Sequence, residues 1–420
     1  MFEVLSWLDA VPLDGQALSE QFLDKQPLDE PSFDEPSLDE QPPVEMANRS
    51  GSPSKRPRVD DEDDEGFPMA NRPNALSPAL SRLSGPTTAT SPSCRSRSPT
   101  KRVLDLLSFS KPVTYQLLGS PVHLPASIKG LASTINKKAA YALGIFPSSI
   151  KGDIVAAIND DETPPNDCFT DGSAAEQMRA EMAQLREVLA ASERSTYWNR
   201  SEAAWNLLVH WPMLKIALSS LDNVSAELVT AAQILTPFVP EICASGSTTT
   251  KVPMLAQSKI VDFVLVLQPR FETTKPPSYA LVQDLPLNEQ TLNQTDYGPL
   301  QYFPAPVPIE TKTTRGDLEE AKVQLGVWVA AWFRRMRLLP RHTDEAKATI
   351  AVPMITVDAS RWAVYYACER DDSIAIYGPL DIGDTLTVMG IYKLLACLKA
   401  IGQWVGEEFK GWFEQNICRV

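Results

Sequence analysis

The chain has 420 residues, 43% of them hydrophobic and 22% charged, with 35 prolines against 19 glycines. That apolar content fills one substantial core, and the proline excess places part of the chain outside it. A formal net charge of −14 argues against a uniformly basic nucleic-acid binder, and six scattered cysteines with no Cys-x-x-Cys pair suggest neither a zinc site nor a disulfide framework.

The charge is unevenly placed. Residues 1–65 carry 5 basic and 18 acidic side chains, whereas residues 66–151 carry 11 basic and one acidic. The chain opens on a short amphipathic segment (Phe2, Val4, Leu5, Trp7, Leu8), followed over 27–40 by a repeat of proline, single hydrophobes and acids. Such alternation serves as an interaction tract or as a solvated spacer. Lys55, Arg56 and Arg58 form a compact basic cluster running into the acidic run 60–65, a form suited to a nuclear import receptor. Arg95, Arg97, Lys101 and Arg102, set among Ser-Pro dipeptides, are a second basic element or a phosphorylation-tuned nucleic-acid contact. Residues 1–102 are expected to be disordered, since acidic repeats and Ser-Pro tracts bury too little apolar surface to offset chain entropy. With no signal-peptide pattern and no apolar run approaching 18 residues, the expectation is a soluble, nuclear protein with no membrane contact.

Apolar residues return over 103–158 as short helices broken by Pro112, Pro125 and Pro147, and 160–172 reads as a linker. Residues 103–172 are therefore taken as a helical lead-in to a domain spanning 173–420. A long helix follows over 174–192, with Met178, Met182, Leu185 and Val188 or Leu189 at helical spacing. The next helix carries Glu202 and the apolar face Trp205, Leu208 and Val209, and Trp211-Pro212 is expected to end it. A strand over 228–238 is possible. Residues 259–268 read as a buried strand holding one acid, Asp262, which must sit near the strand's end where a metal, a base or water satisfies it. The Pro-, Gln- and Thr-rich stretch 270–306 is an insertion between two strands of a hairpin.

The run Val-Pro-Ile-Glu-Thr-Lys-Thr over 307–313 then delivers Glu310 and Lys312 two residues apart, on one face of a strand. A carboxylate beside an ammonium can hold a divalent cation and serve a phosphate, or can be a solvated surface pair. A helix over 317–337 follows, carrying Gln324 near its start and Leu318, Val323, Leu325, Trp328, Val329 and Trp332 toward the core. Three strands (349–357, 361–368 and 373–377) and a helical tail over 385–413 close the chain.

The order of Glu202 on a helix, Asp262 on a strand, Glu310-x-Lys312 on a strand and Gln324 on the next helix resembles the PD-(D/E)XK nuclease superfamily, and the surrounding wording is similar to the nuclease-like domain of many fungal proteins. The resemblance covers residues 173–420. It departs from the family pattern at Val261, where proline is usual, and in the long gap between Asp262 and Glu310. It implies a restriction-endonuclease-like α/β fold, a mixed sheet flanked by helices. It also implies Mg²⁺ or Mn²⁺ ligated by Asp262 and Glu310, with Glu202 as the third metal residue, assisting through a metal-bound water. Lys312 would act on the attacking water, and Gln324 would reach the phosphate or Lys312. The implied activity is phosphodiester hydrolysis, of DNA in preference to RNA. The alternatives are a nuclease-like module that binds nucleic acid or protein without turnover, and a regulator acting through the acidic N-terminal tract.

Other residues have plainer readings. His123, His210 and His342 read as satisfied structural histidines, and the tryptophans as core or rim with a base-stacking platform possible for one or two. Arg334, Arg335, Arg337 and Arg341 are a solvated helix end complementing the dipole or a phosphate track.

Overall fold

A computed structural model describes residues 102–119, 124–158, 163–172, 174–242, 260–268, 278–339 and 349–418. The acidic repeats, the cluster Lys55, Arg56 and Arg58, and Arg95, Arg97, Lys101, His123, Arg341 and His342 lie outside these residues.

Runs rich in β-branched and aromatic residues form a seven-stranded sheet. Its strands are β1 (Val113–Gln116), β4 (Val224–Leu228), β5 (Phe263–Leu267), β6 (Val307–Lys312), β7 (Val352–Asp358), β8 (Arg361–Glu369) and β9 (Ile374–Asp384), in the order β1-β9-β8-β7-β6-β5-β4. The short strands β2 (Phe146–Pro147) and β3 (Phe169–Thr170) pair separately. β6 runs parallel to β7 and antiparallel to β5, and β1 runs parallel to β9, so the sheet is mixed. Every residue of β6 is buried, as a strand covered on both faces requires. Pro308 is tolerated there because the β7 ladder begins one residue later, at Ile309 opposite Ile355.

Helices flank this sheet: α1 (Ala126–Tyr141), α2 (Lys151–Ile158), α3 (Ala175–Tyr197), α4 beginning at Glu202, α5 (Leu318–Leu338) and α6 (Val388–Asn416). This is the restriction-endonuclease-like α/β arrangement expected. Helix α5 starts cleanly because the Asp317 carboxylate accepts the Glu319 N–H at 2.8 Å. Glu319 and Glu320 occupy its first turn and Arg335 and Arg337 its last, each complementing the helix dipole. Its stripe faces the core from Val323 to Trp332 as expected, except that Leu318 is exposed in the first turn. By length and composition α6 could cross a membrane, but two-thirds of its apolar window is buried against the rest of the fold.

Four expectations change. The lead-in contributes β1, an edge strand of the main sheet, which four residues ahead of a proline-broken stretch did not announce. Pro212 does not end the Glu202 helix. That helix runs Glu202–Trp205, widens into a π turn over Asn206–His210 and continues as Trp211–Ala217. Proline fits because the wider turn precedes it, with the Trp211 N–H reaching back to the Asn206 carbonyl, and Pro212 stands in the first turn of the next segment. The strand sought over 228–238 is instead β4, followed by loop and a single 3₁₀ turn, Thr236–Phe238.

The fourth change concerns the arginines. Arg335 is fully buried and donates to the Thr291 and Glu289 carbonyls, while Arg334 donates to the Pro237 carbonyl and to Glu241. These two side chains pin neighbouring segments and are not a phosphate track. The described part of the insertion is likewise knitted inward: Asn293 donates to the Leu300 and Phe303 carbonyls and accepts from the Ala305 N–H.

Candidate active site

Strand pairing brings the carboxylates together. Phe263 lies opposite Ile309 in the antiparallel β5–β6 ladder, so continuing the register by one residue sets Asp262 opposite Glu310. Asp262 stands just ahead of β5, at the strand end where a carboxylate was expected. Its Oδ2 accepts from the Thr311 N–H at 2.9 Å and from the Thr311 hydroxyl at 2.7 Å.

Glu310 is 1% exposed, and a lone carboxylate there would be costly. Its Oε1 takes the Lys312 ammonium, which also donates to the Thr311 carbonyl at 3.0 Å. Its Oε2 is buried and has no hydrogen-bond partner. Burial first, and then the neighbouring Asp262 charge, hold the Glu310 carboxyl well above the usual carboxylate range, against the pull of Lys312. Burial works against the Lys312 charge, yet Glu310, Glu202 and Asp262 together raise its pKa above the ordinary lysine value.

Helix α4 supplies Glu202 in its first turn, behind the cap Ser201, whose side chain accepts the Ala204 N–H. Glu202 Oε2 lies 3.7 Å from Lys312 Nζ, on a side chain that solvent still reaches. Its pKa is raised chiefly by partial burial, with Lys312 opposing and Asp262 adding to the rise.

Gln324 is turned elsewhere. Its Nε2 donates to the Ile260 carbonyl at 2.9 Å, and its Oε1 is buried without a partner. It buttresses the segment leading into Asp262; no contact to Lys312 is seen, contrary to the reach expected of it. Four of the five predicted residues, Glu202, Asp262, Glu310 and Lys312, therefore form one interacting group, and Gln324 supports it from behind.

The fit to a hard divalent cation follows from the donors. Asp262 and Glu310 offer two adjacent carboxylates, and the unpartnered Oε2 of Glu310 is the kind of buried oxygen that a cation satisfies. Among the described residues no three His, Cys, Asp or Glu side chains stand grouped for a metal. Glu202, expected as a third ligand, stands with the lysine instead.

Three residues that sequence reasoning passed over also shape the site. Thr311, the middle residue of the Glu-x-Lys tripeptide, holds Asp262. Asn206, one turn after Glu202, has its side-chain Oδ1 2.8 Å from Thr311 Oγ1 and 2.8 Å from His210 Nδ1. Gly316, in the turn after β6, leaves room for the Lys312 stem. The spacing of Glu202 and Asn206 on one helix was a signal for the second of these; nothing in the sequence pointed to the other two.

The PD-(D/E)XK nuclease superfamily profile matches residues 153–410, a span that contains all of these positions. No curated protein matches the chain.

Proposed function

The chain belongs to the PD-(D/E)XK nuclease superfamily, and from that premise we propose that it is a divalent-metal-dependent phosphodiester hydrolase acting on DNA in preference to RNA in the nucleus. The observation that carries the reading is the pairing of a buried, half-satisfied Glu310 with Asp262 across one ladder, with Lys312 between Glu310 and Glu202.

Asp262 and Glu310 are the ligands for Mg²⁺ or Mn²⁺, which would supply Lewis acidity at a phosphoryl oxygen and at the departing oxygen. Lys312, its charge secured by three carboxylates, offers N–H donors to a phosphoryl oxygen or to the attacking water. Glu202 remains solvent-reachable with a raised pKa, and is the group suited to pass a proton between the site and bulk water. DNA is the proposed substrate because the cluster Lys55, Arg56 and Arg58, read by an import receptor, would carry the protein to the nucleus.

The second reading is a nuclease-like module that binds nucleic acid or protein without turnover. It is favoured by one observation: the Lys312 ammonium sits on the Glu310 oxygen Oε1 and already neutralises much of the site. The two readings separate in one experiment. Purified protein should nick supercoiled plasmid DNA with Mg²⁺ or Mn²⁺, stop on chelation, act less on RNA of matched length, and gain thermal stability with either cation by mass action. Asp262→Asn and Glu310→Gln should each abolish the cation-dependent gain. No cleavage and no cation-dependent stabilisation at millimolar concentration would leave the module as the account.

A further inference from the structure

A chain of side chains leads from Asp262 into the core, and its other members lie outside the carboxylate–lysine group. It begins at the Ala359 carbonyl, 2.8 Å from His210 Nε2, and continues through His210 Nδ1 to the Asn206 amide, to Thr311 Oγ1 and to Asp262 Oδ2. His210 and Thr311 are fully buried and Asn206 nearly so. The same Ala359 donates its N–H to the Lys312 carbonyl at 2.6 Å, so both ends of the chain return to β6. The π turn in α4 carries both Asn206 and His210, and such turns are often kept where side chains must be placed for function.

The direction of each hydrogen bond follows from what each atom can do. A carbonyl only accepts, so His210 Nε2 carries a proton. The imidazole is neutral near pH 7, because burial lowers its pKa to about 4. Its Nδ1 is then an acceptor; the atom placed against it is Asn206 Oδ1, also an acceptor, so a neutral ring requires the amide turned over with its NH₂ group facing His210 and Thr311. That NH₂ group has two protons: one for His210 Nδ1 and one for Thr311 Oγ1. The Thr311 hydroxyl, now an acceptor from Asn206, is left with its own proton to donate to Asp262 Oδ2. Every donor along the chain is used once.

We propose that His210, Asn206 and Thr311 are positioning residues that orient the Asp262 carboxylate, holding Oδ2 through Thr311 and leaving Oδ1 as the oxygen presented to a divalent cation. The alternative hydroxyl orientation, toward Asn206, would leave Asp262 Oδ2 with the Thr311 backbone N–H alone and its carboxylate freer to turn. The relay thus sets how Asp262 meets a cation, and for its cation-binding consequence it rests on the hydrolase reading.

The test has one arm that needs no metal. In full-length protein labelled with ¹⁵N-histidine, only three imidazoles report. The resonance lost in His210→Gln should show the neutral tautomer with its proton on Nε2 at pH 7. A proton on Nδ1, or an imidazolium, overturns the relay whatever the chain does with metals. The second arm measures Mn²⁺ affinity by calorimetry for Thr311→Ser, which keeps the hydroxyl, and Thr311→Val, which keeps the shape. Loss of such an outer partner typically costs about 10- to 100-fold in metal affinity. Thr311→Val should weaken Mn²⁺ binding at least to the lower end of that range, since the backbone N–H of residue 311 still reaches Asp262. Thr311→Ser should stay within about threefold of wild type by the same scale and keep the apo melting temperature. Equal affinity in both variants and wild type, or equal loss in both variants, overturns the positioning role. A wild-type protein that binds no Mn²⁺ overturns the hydrolase reading and this role with it, while the ring tautomer still decides the relay itself.

Discussion

Gly316 lies against Lys312 so closely that a Cβ added to it would come within 2.8 Å of the lysine Cβ and 3.0 Å of its Cδ. No real Cβ occupies that space without displacing the lysine stem, and the Thr313 carbonyl at 3.1 Å closes the other side. Gly316→Ala should therefore shift the Lys312 ammonium off Glu310 while removing no charged group. A displacement of about 1 Å at a reacting group can cost on the order of 100-fold in rate. DNA cleavage should fall by about 10- to 100-fold on that scale, with cation-dependent stabilisation retained. Unchanged cleavage by Gly316→Ala would show that Lys312 tolerates displacement.

Removing the ammonium outright should be felt in stability. Lys312→Met leaves Glu310 buried beside Asp262 without its partner, and breaking one side of a buried pair costs about 3–5 kcal/mol. The sign with pH follows from Glu310, whose pKa is already raised in the folded protein by burial and Asp262. A carboxyl with a raised folded pKa binds more protons folded than unfolded, so its charging destabilises the fold as pH rises above the unfolded value of about 4.3. Lysine loss raises that pKa further. The deficit of Lys312→Met should be large at pH 8 and small at pH 5, measured by urea unfolding. A deficit equal at both pH values would mean that Glu310 does not take up the proton.

The buried histidine predicts the opposite slope. His210 has a folded pKa lowered to about 4 by burial, against about 6.5 for an unperturbed imidazole. The unfolded chain binds more protons between these values. Stability from neutral His210 is therefore complete above about pH 6.5 and is lost as pH falls toward 4, by up to about 3 kcal/mol. Glu310 acts in the other direction, so the quantity to measure is the difference between wild type and His210→Gln. That difference should shrink on acidification from pH 7 to pH 4.5; a constant difference would contradict a buried neutral ring.

Truncation tests the domain's beginning. Leu106 is fully buried, and its Cδ1 lies 2.7 Å from where a Cβ on Gly326 of α5 would be. Phe109 bridges to Ile242, Val113 to Gln116 pair with β9, and the Tyr115 hydroxyl donates to the Lys322 carbonyl. A fragment starting at residue 102 should keep the melting temperature of the whole chain within a few degrees. One starting at residue 120 should lose several kcal/mol, because three buried apolar side chains contribute about 1.5–3 kcal/mol each. Equal melting temperatures would show that this edge strand is dispensable.

Localisation is tested through the basic cluster. A chain of 46.3 kDa crosses the nuclear pore slowly unaided. A fluorescent fusion with Lys55, Arg56 and Arg58 all replaced by Ala should be largely cytoplasmic, and the wild-type fusion nuclear. An unchanged nuclear signal in the variant would move the import function to the cluster at Arg95, Arg97, Lys101 and Arg102, or abolish the assignment.

Periodicity by itself determined the long elements. The helically spaced apolar stripe of α3, the apolar run of α5 and the strands β5, β7 and β8 are local patterns, and each appears where its pattern placed it. The charged pair Glu310 and Lys312 was legible for the same reason, since a spacing of two on a strand shares a face whatever else the chain does. The resemblance carried by Glu202, Asp262, Glu310, Lys312 and Gln324 set the fold class, because the order of such residues along helices and strands is a linear property.

What remained for the tertiary structure depends on distances between segments far apart in sequence. Whether Glu202 joins the acids or the lysine was decided by how α4 lies over β6, and the lysine won at 3.7 Å. Gln324 turned to the Ile260 carbonyl, an acceptor made available only by the path of the chain into β5. Strand β1 is four residues long and gains its stability from the β9 edge it joins, so local propensity could not reveal it. The π turn that lets Pro212 pass also brings Asn206 within hydrogen-bonding distance of Thr311 and of His210, and a wider helical turn leaves no mark in apolar spacing. Hydrogen bonds between buried polar groups are satisfied by whichever partner packing brings within about 3 Å, which is why the residues of the site could be read from the chain and the partners that hold them could not.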